Sequence, residues 1–243
     1  MPRIARNQYN GKIFHITVKG INSEYIFDNN EDKTEYLKLL HEKKININIK
    51  ILAYCIMNNH AHILLKCEEI SEISEFMKKV NTAYAIFYNK KYDREGYVFK
   101  NRFYSQSIID RKHLLSCITY IHRNPVKANI VKNMNAYSFS SYNEYFYKNK
   151  NVIISKDDII RLICAQYDEA DWKKFREYHL KRNLIEYEFD EKINYQELIS
   201  DYKKYYTDRE IIEKLLKQFN CSKQKVAEFM KTTVYDINKI VKK

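Results

Sequence analysis

INIKILAYCIM (residues 47–57) and AHILLKC (61–67) are two β-rich runs parted by the turn-prone pair Asn58-Asn59, the pattern of a hairpin. Upstream, KIFHITVK (12–19) alternates apolar and polar residues as a strand does, and 31–43 reads as a helix whose apolar face is Tyr36, Leu39 and Leu40. Downstream, Ile73, Phe76, Met77, Val80, Tyr84 and Phe87 recur at helical spacing over 72–91. A strand pattern returns over 97–109, and a further helix follows over 111–124. The order β-α-β-β-α-β is the split βαβ pattern, so the fold class is α+β. A ferredoxin-like antiparallel sheet occupies about the first 130 residues, with a helical C-terminal region behind it.

The stretch 131–155 is rich in Asn, Ser, Tyr and Lys without periodicity and reads as a connector. Two domains result, 1–150 and 151–243. In the second, amphipathic segments 209–219 and 222–230, joined by Asn220-Cys221, and a third from about 233 suit a helix-turn-helix or any small helical bundle. No internal repeat is present.

The 243 residues carry a net charge of +12, and residues 1–150 hold 24 Lys and Arg against 14 Asp and Glu. A charge concentrated in one segment points to a polyanionic partner there. Twenty-two Tyr and 12 Phe interleaved with Lys and Asn suit base stacking, although an AT-rich codon bias gives the same composition. Only three Gly are present, so neither G-x-x-x-x-G-K-[ST] nor G-x-G-x-x-G occurs, and nucleotide chemistry of those two types is excluded. The five Cys are scattered, with no C-x-x-C, and read as reduced thiols. Mean hydropathy is −0.62 and no apolar run approaches the roughly 20 residues that cross a bilayer. With no apolar stretch at the N-terminus, a cytoplasmic protein is expected.

His60 and His62 are i and i+2 on a strand, so both imidazoles project to one face as candidate ligands for a divalent metal. Two hydrogen-bonded structural histidines would look the same in sequence. Zinc could draw on Cys55 or Cys67, but Cys67 has the opposite strand parity to His62, which disfavours it. On the helix 111–124, Leu114, Ile118 and Ile121 form the buried stripe; Tyr120 lies off it, with Asn124 one turn on. Tyr120 is therefore either a surface tyrosine or an outward-pointing nucleophile, and Pro125 is expected to end or kink the helix. Together these residues can cleave a phosphodiester. Tyr120 supplies the attacking oxygen, His60, His62 and Asn124 hold the metal, and a phosphotyrosine conserves the bond energy for rejoining.

The segments YCIMNNHAHILL (54–65), GYVFKNRF (96–103) and YIHRNPVKA (120–128) resemble the IS200/IS605-type HUH transposases, within them the REP-associated tyrosine transposase branch. Met1-Pro2-Arg3, HITVKG (15–20) and FSSY (139–142) are similar to that branch too, so the resemblance spans roughly residues 1–145. It implies His60 and His62 as the HUH metal pair, Asn124 as third ligand and Tyr120 as nucleophile. It also implies Mg²⁺ or Mn²⁺, cleavage of single-stranded DNA at hairpin-associated sites through a 5′-phosphotyrosine, and a nucleoid-associated place in a bacterial cytoplasm. Departures are Asn58 for the usual proline, Phe99 and Phe139 for tryptophan, and Lys127 for arginine. Lys100, Arg102, Arg123 and Lys127 flank Tyr120 and are expected to contact single-stranded or hairpin DNA. A non-catalytic DNA- or RNA-binding protein that keeps the fold is the alternative. Monomer and homodimer both stay open.

Overall fold

The hairpin forms as its residues dictate: β2 (Lys50–Ile56) and β3 (His60–Lys66) pair antiparallel, and the Met57 N–H closes the turn onto the His60 carbonyl at 2.8 Å. A computed structural model describes residues 12–45, 47–108, 111–147, 153–163, 169–181, 203, 206–217 and 223–241. In it, β3 also pairs antiparallel with β1 (Ile13–Lys19), and β1 with β4 (Tyr104–Ser107). The order β2-β3-β1-β4, with every pair antiparallel, is the ferredoxin-like arrangement expected from the element order. The two long intervening helices are α1 (Asn30–Lys43) and α2 (Ile70–Lys91), which pack on each other around Phe27, Tyr36 and Tyr84.

Register decides which side chains share a face. His15, Thr17 and Lys19 of β1 lie opposite Leu64, His62 and His60 of β3, so the six stand on one face. Phe14, Ile16, Val18, Ala61, Ile63 and Leu65 stand on the other, and all six are buried. Both faces of the central strands are covered, which is why HAHILL runs on without polar alternation.

Three expectations are corrected. The strand placed at 97–109 is only four residues long, with a single bridge from Phe99 to Gly20 ahead of it; the intervening Asn101-Arg102-Phe103 leaves the sheet. Helix α3 (Arg111–Lys127) runs through Pro125 rather than ending there. Pro125 sits in the last turn, where its ring removes one helix bond, and Asn129, at φ +56°, reverses the chain beyond it. The stretch 131–155 is not a bare connector, because it closes the outer edge of β2. The Ile56 N–H donates to the Phe139 carbonyl, Ser141 and Tyr54 bond through their main chains, and the Ser155 N–H donates to the Ile51 carbonyl. So few paired residues leave no periodic pattern to read.

Two further helices, α5 (Lys156–Ile163) and α6 (Glu169–Lys181), follow the short α4 (Tyr142–Phe146) in the same compact unit, Lys12–Asn183. The division at residue 150 read from the sequence falls outside the described residues. Helix α6 is locked to α3 by a chain of buried hydrogen bonds. The Thr119 hydroxyl donates to the Leu115 carbonyl, so its oxygen accepts from His179 Nδ1 (3.2 Å). His179 Nε2 bonds to His122 Nδ1 (2.9 Å), and His122 Nε2 bonds to the Ser141 hydroxyl (2.7 Å), which also reaches the Tyr54 carbonyl (3.3 Å). Each imidazole carries one proton. Burial holds His122 well below its ordinary value and His179 down at about 3.

Residues Leu184–Lys243 belong to a second unit, in which α7 (Asp208–Lys217), α8 (Lys223–Phe229) and α9 (Val234–Val241) pack on one another. Asn220-Cys221, Cys164 and Met1-Pro2-Arg3 lie outside the described residues. Among the described cysteines, Cys55, Cys67 and Cys117 are unbridged and buried. No helix among the described residues is long and apolar enough to cross a membrane.

Candidate active site

The polar face of the sheet meets the polar side of α3. Strand pleating brings the His60 and His62 rings to 4.8 Å of each other, and Tyr120 of α3 sits 5.2 Å from the His62 ring. Tyr120 is half-buried over the sheet, not pointed outward from the helix as the sequence suggested. Asn124, one turn further along α3, donates its Nδ2 to the Tyr120 carbonyl (2.9 Å).

The histidines differ in what surrounds them. His60 is half-buried at the mouth of the strand, and its Nδ1 lies 2.6 Å from Asn59 Oδ1. An amide oxygen only accepts, so the proton is on Nδ1 and the lone pair on Nε2. His62 is 4% exposed; its Nδ1 lies 3.0 Å from His15 Nε2 and 3.3 Å from Thr17 Oγ1. Its Nε2 is fully buried with no hydrogen-bond partner among the described residues. Burial, with the neighbouring His15, His60 and Lys19, holds the His62 imidazole well below its usual value, so it is neutral with a lone pair to give. A buried imidazole nitrogen left without a donor is costly unless a cation meets it.

These residues fit a divalent metal: two imidazole nitrogens and an amide oxygen, with positions left for oxygen ligands. Among the described residues no three His, Cys, Asp or Glu side chains gather around one point, and the proposed third ligand here is an amide. Cys55 faces His62 across the hairpin, but burial pushes its thiol up and its Sγ lies 3.6 Å from Met57 Sδ. A protonated thiol is a poor metal ligand.

Sequence reasoning missed His15, Thr17 and the role of Asn59. His15 stacks on His62 with ring centroids 5.0 Å apart, and burial, with His113 and His60, pushes it down to about 3. The signal was present: a His and a Thr at i and i+2 inside KIFHITVK are polar residues on one face of a strand whose neighbours are apolar. Gly20, just past them, is required because a Cβ there would clash with the Glu24 carbonyl oxygen. Its N–H donates to the Asn59 carbonyl (2.9 Å), which ties the end of β1 to the turn before His60.

Of the four expected DNA contacts, Lys100, Arg102 and Lys127 are exposed. The Lys100 N–H donates to the carbonyl of Lys19, the register partner of His60, so Lys100 lies at the histidine end of the sheet. Arg123 is half-buried, and its guanidinium reaches the His179 carbonyl of α6 at 3.5 Å.

Residues 8–124 match the family model of the IS200-like transposases. Among solved structures, a REP-associated tyrosine transposase bound to a REP hairpin is 18% identical, with a TM-score of 0.49 over 65% of this chain and 93% of that one. No curated protein matches the chain.

Proposed function

We propose, starting from the match of residues 8–124 to the IS200-like transposases, that the chain nicks and rejoins single-stranded DNA with Tyr120 as nucleophile and a divalent metal as cofactor. The observation that carries the reading is His62 Nε2, buried and without a partner among the described residues, beside the Tyr120 ring. His60, His62 and Asn124 would hold Mg²⁺ or Mn²⁺. When bound, the metal polarises a non-bridging phosphate oxygen and offsets the charge that develops there.

The chain's own residues do the rest. The Tyr120 oxygen attacks the scissile phosphorus, its proton passing to water. The bond from phosphorus to the 3′-oxygen breaks, the 3′-oxygen takes up a proton, and the 5′-phosphate stays on Tyr120. Attack by a 3′-hydroxyl on that phosphotyrosine reverses the step and rejoins the strand without ATP. Asn59 orients His60 through Nδ1, and His15 and Thr17 orient His62 through Nδ1, which leaves both Nε2 atoms for the metal. Lys100, Arg102 and Lys127 track the backbone of a strand that leads to Tyr120, and the branch resemblance supports a hairpin beside the cleaved site.

The test is a labelled single-stranded hairpin oligonucleotide incubated with Mg²⁺ and run on a denaturing gel. The wild type forms a covalent protein–DNA adduct that maps to Tyr120, and Tyr120→Phe forms none while it still binds the strand. An adduct on another tyrosine, or cleavage by the Phe variant, overturns the assignment.

A further inference from the structure

The second unit has features that strand cleavage does not use. Helices α8 and α9 are joined by four residues, Met230–Thr233, and Lys231 within them sits at φ +52°. A left-handed residue at a helix end turns the chain sharply out of its axis. Here the turn is locked on both sides: the Thr232 N–H donates to the Ala227 carbonyl (2.9 Å), and the Thr233 hydroxyl accepts from the Asp236 N–H (3.2 Å). Asp236 Oδ2 in return accepts the Thr233 N–H, a reciprocal cap that fixes where α9 begins. Ala227 and Ile237 are buried with Ile211, Ile212, Leu215 and Val226, so a small side chain lies in the core this helix pair shares with α7.

What this frame presents outward is unusual for a helix of eight residues. Tyr235 is 74% exposed, Val234 and Val241 are exposed with it, and Lys239 follows Tyr235 by one turn on the same face. Residues 223–243 carry six Lys against Glu228 and Asp236, and the Asp236 carboxylate is occupied by Thr232 and Thr233. Residues 151–222 carry 13 Lys and Arg against 15 Asp and Glu, so the positive charge of the C-terminal half is concentrated on this helix pair and the residues after it.

We propose that α8 and α9 form a helix-turn-helix that binds duplex DNA, with α9 in the major groove. Tyr235 and Val234 meet base edges and methyl groups there, and Lys231 and Lys239 meet phosphates. A helix fits the major groove of B-form DNA, whereas the major groove of an A-form RNA duplex is too deep and narrow for it. This site is independent of the one around Tyr120 and gives the chain a grip on paired DNA.

The test uses the full chain and a fluorescent, blunt-ended DNA duplex with no unpaired nucleotide, read by anisotropy over a range of salt. Tyr235→Ala combined with Lys239→Glu, both at exposed positions, lowers duplex affinity by about tenfold or more and flattens the slope of log affinity against log salt by about 0.9 for the lost phosphate contact. Adduct formation on the single-stranded hairpin stays within about twofold of wild type, since each assay reads a separate site. Unchanged duplex affinity in the double variant, or equally tight binding of an RNA duplex, overturns the proposal. A chain that binds duplex through Tyr235 and Lys239 but never forms the adduct overturns the nuclease reading instead and leaves this one standing.

Discussion

His15 offers the sharpest test of how the site is tuned. His62 can give Nε2 to a metal only if its other nitrogen, Nδ1, carries the proton, and that proton needs an acceptor in a buried place. His15 Nε2 at 3.0 Å is the nearer acceptor and Thr17 Oγ1 at 3.3 Å the second. His15 can accept because burial, with His113 and His60, pushes it down to about 3, so it is neutral at pH 7. The outer partner of a ligating histidine is commonly worth about 10- to 100-fold in metal affinity, which is about 1.4 to 2.7 kcal/mol. His15→Leu keeps the bulk of the side chain and removes the acceptor, but Thr17 remains. The loss is therefore placed near the lower end, about tenfold in the dissociation constant for Mn²⁺, and the double variant with Thr17→Val near the upper end, about 100-fold. His15→Gln restores an acceptor oxygen and recovers most of the affinity. The assay is titration of the DNA-free protein with Mn²⁺, following the signal of the unbound ion by electron paramagnetic resonance, with circular dichroism to confirm the fold. A packing role alone would lower thermal stability and spare Mn²⁺ affinity. Wild-type affinity in His15→Leu, or a loss in His15→Gln as large as in His15→Leu, would refute the tautomer argument.

His60→Ala is expected to abolish cleavage with the fold intact, because His60 is half-buried at the strand mouth, whereas truncating His62 also opens the interior; Asn124→Ala loses less, since water can replace an amide oxygen, and cleavage rates by wild type and variants on one oligonucleotide check the ranking. Arg102→Ala and Lys127→Ala are each expected to reduce the salt slope of single-strand binding by about 0.7 while leaving cleavage at saturating DNA nearly unchanged; unaltered slopes in both would move the binding face. Below pH 6.5 the unfolded chain takes up a proton that buried His179, held at about 3, refuses, so stability is complete above 6.5 and falls as pH drops toward 3. At pH 5 the loss from this one residue is about 2 kcal/mol, and urea midpoints for wild type and His179→Gln should converge as pH falls from 7 to 5.

The fold was legible because the hairpin runs and the two long helices follow strong periodicity, and Asn58-Asn59 marks the turn between strands. What could not be read depends on partners far along the chain. Nothing in Phe139-Ser140-Ser141 signals pairing with β2, because the bonds are made by main-chain groups and one serine hydroxyl. Nor does Pro125 reveal that it falls in a last turn, where the helix tolerates it. Of the candidate site, the sequence singles out His60, His62, Tyr120 and Asn124, and the structure sets the first three rings in a row with neighbours about 5 Å apart. The site was misread where geometry depends on packing: an off-stripe tyrosine looks solvent-facing until the opposite sheet face proves polar as well. His15 escaped notice because a single histidine in a strand ordinarily reads as one more core residue.

The placement of Tyr120 draws on residues beyond the family match at 8–124. Helix α3 is held on one side by the sheet and on another by His122, whose two nitrogens bond to Ser141 and His179. Ser141 also accepts the Tyr54 N–H, so one hydroxyl joins the helix that carries Tyr120 to the hairpin that carries His60 and His62. Ser141, His122, His179 and Thr119 form one continuous buried chain of hydrogen bonds, anchored at its ends on the Tyr54 and Leu115 carbonyls. A buried network of this kind rigidifies the elements that it joins. Helix α6, packed through Trp172, Phe175 and His179 against Tyr145 and Phe146, therefore serves as the buttress of a site to which it lends no reacting group. The proposed chemistry lies on β3 and α3, and α3 is held in place from outside the matched segment.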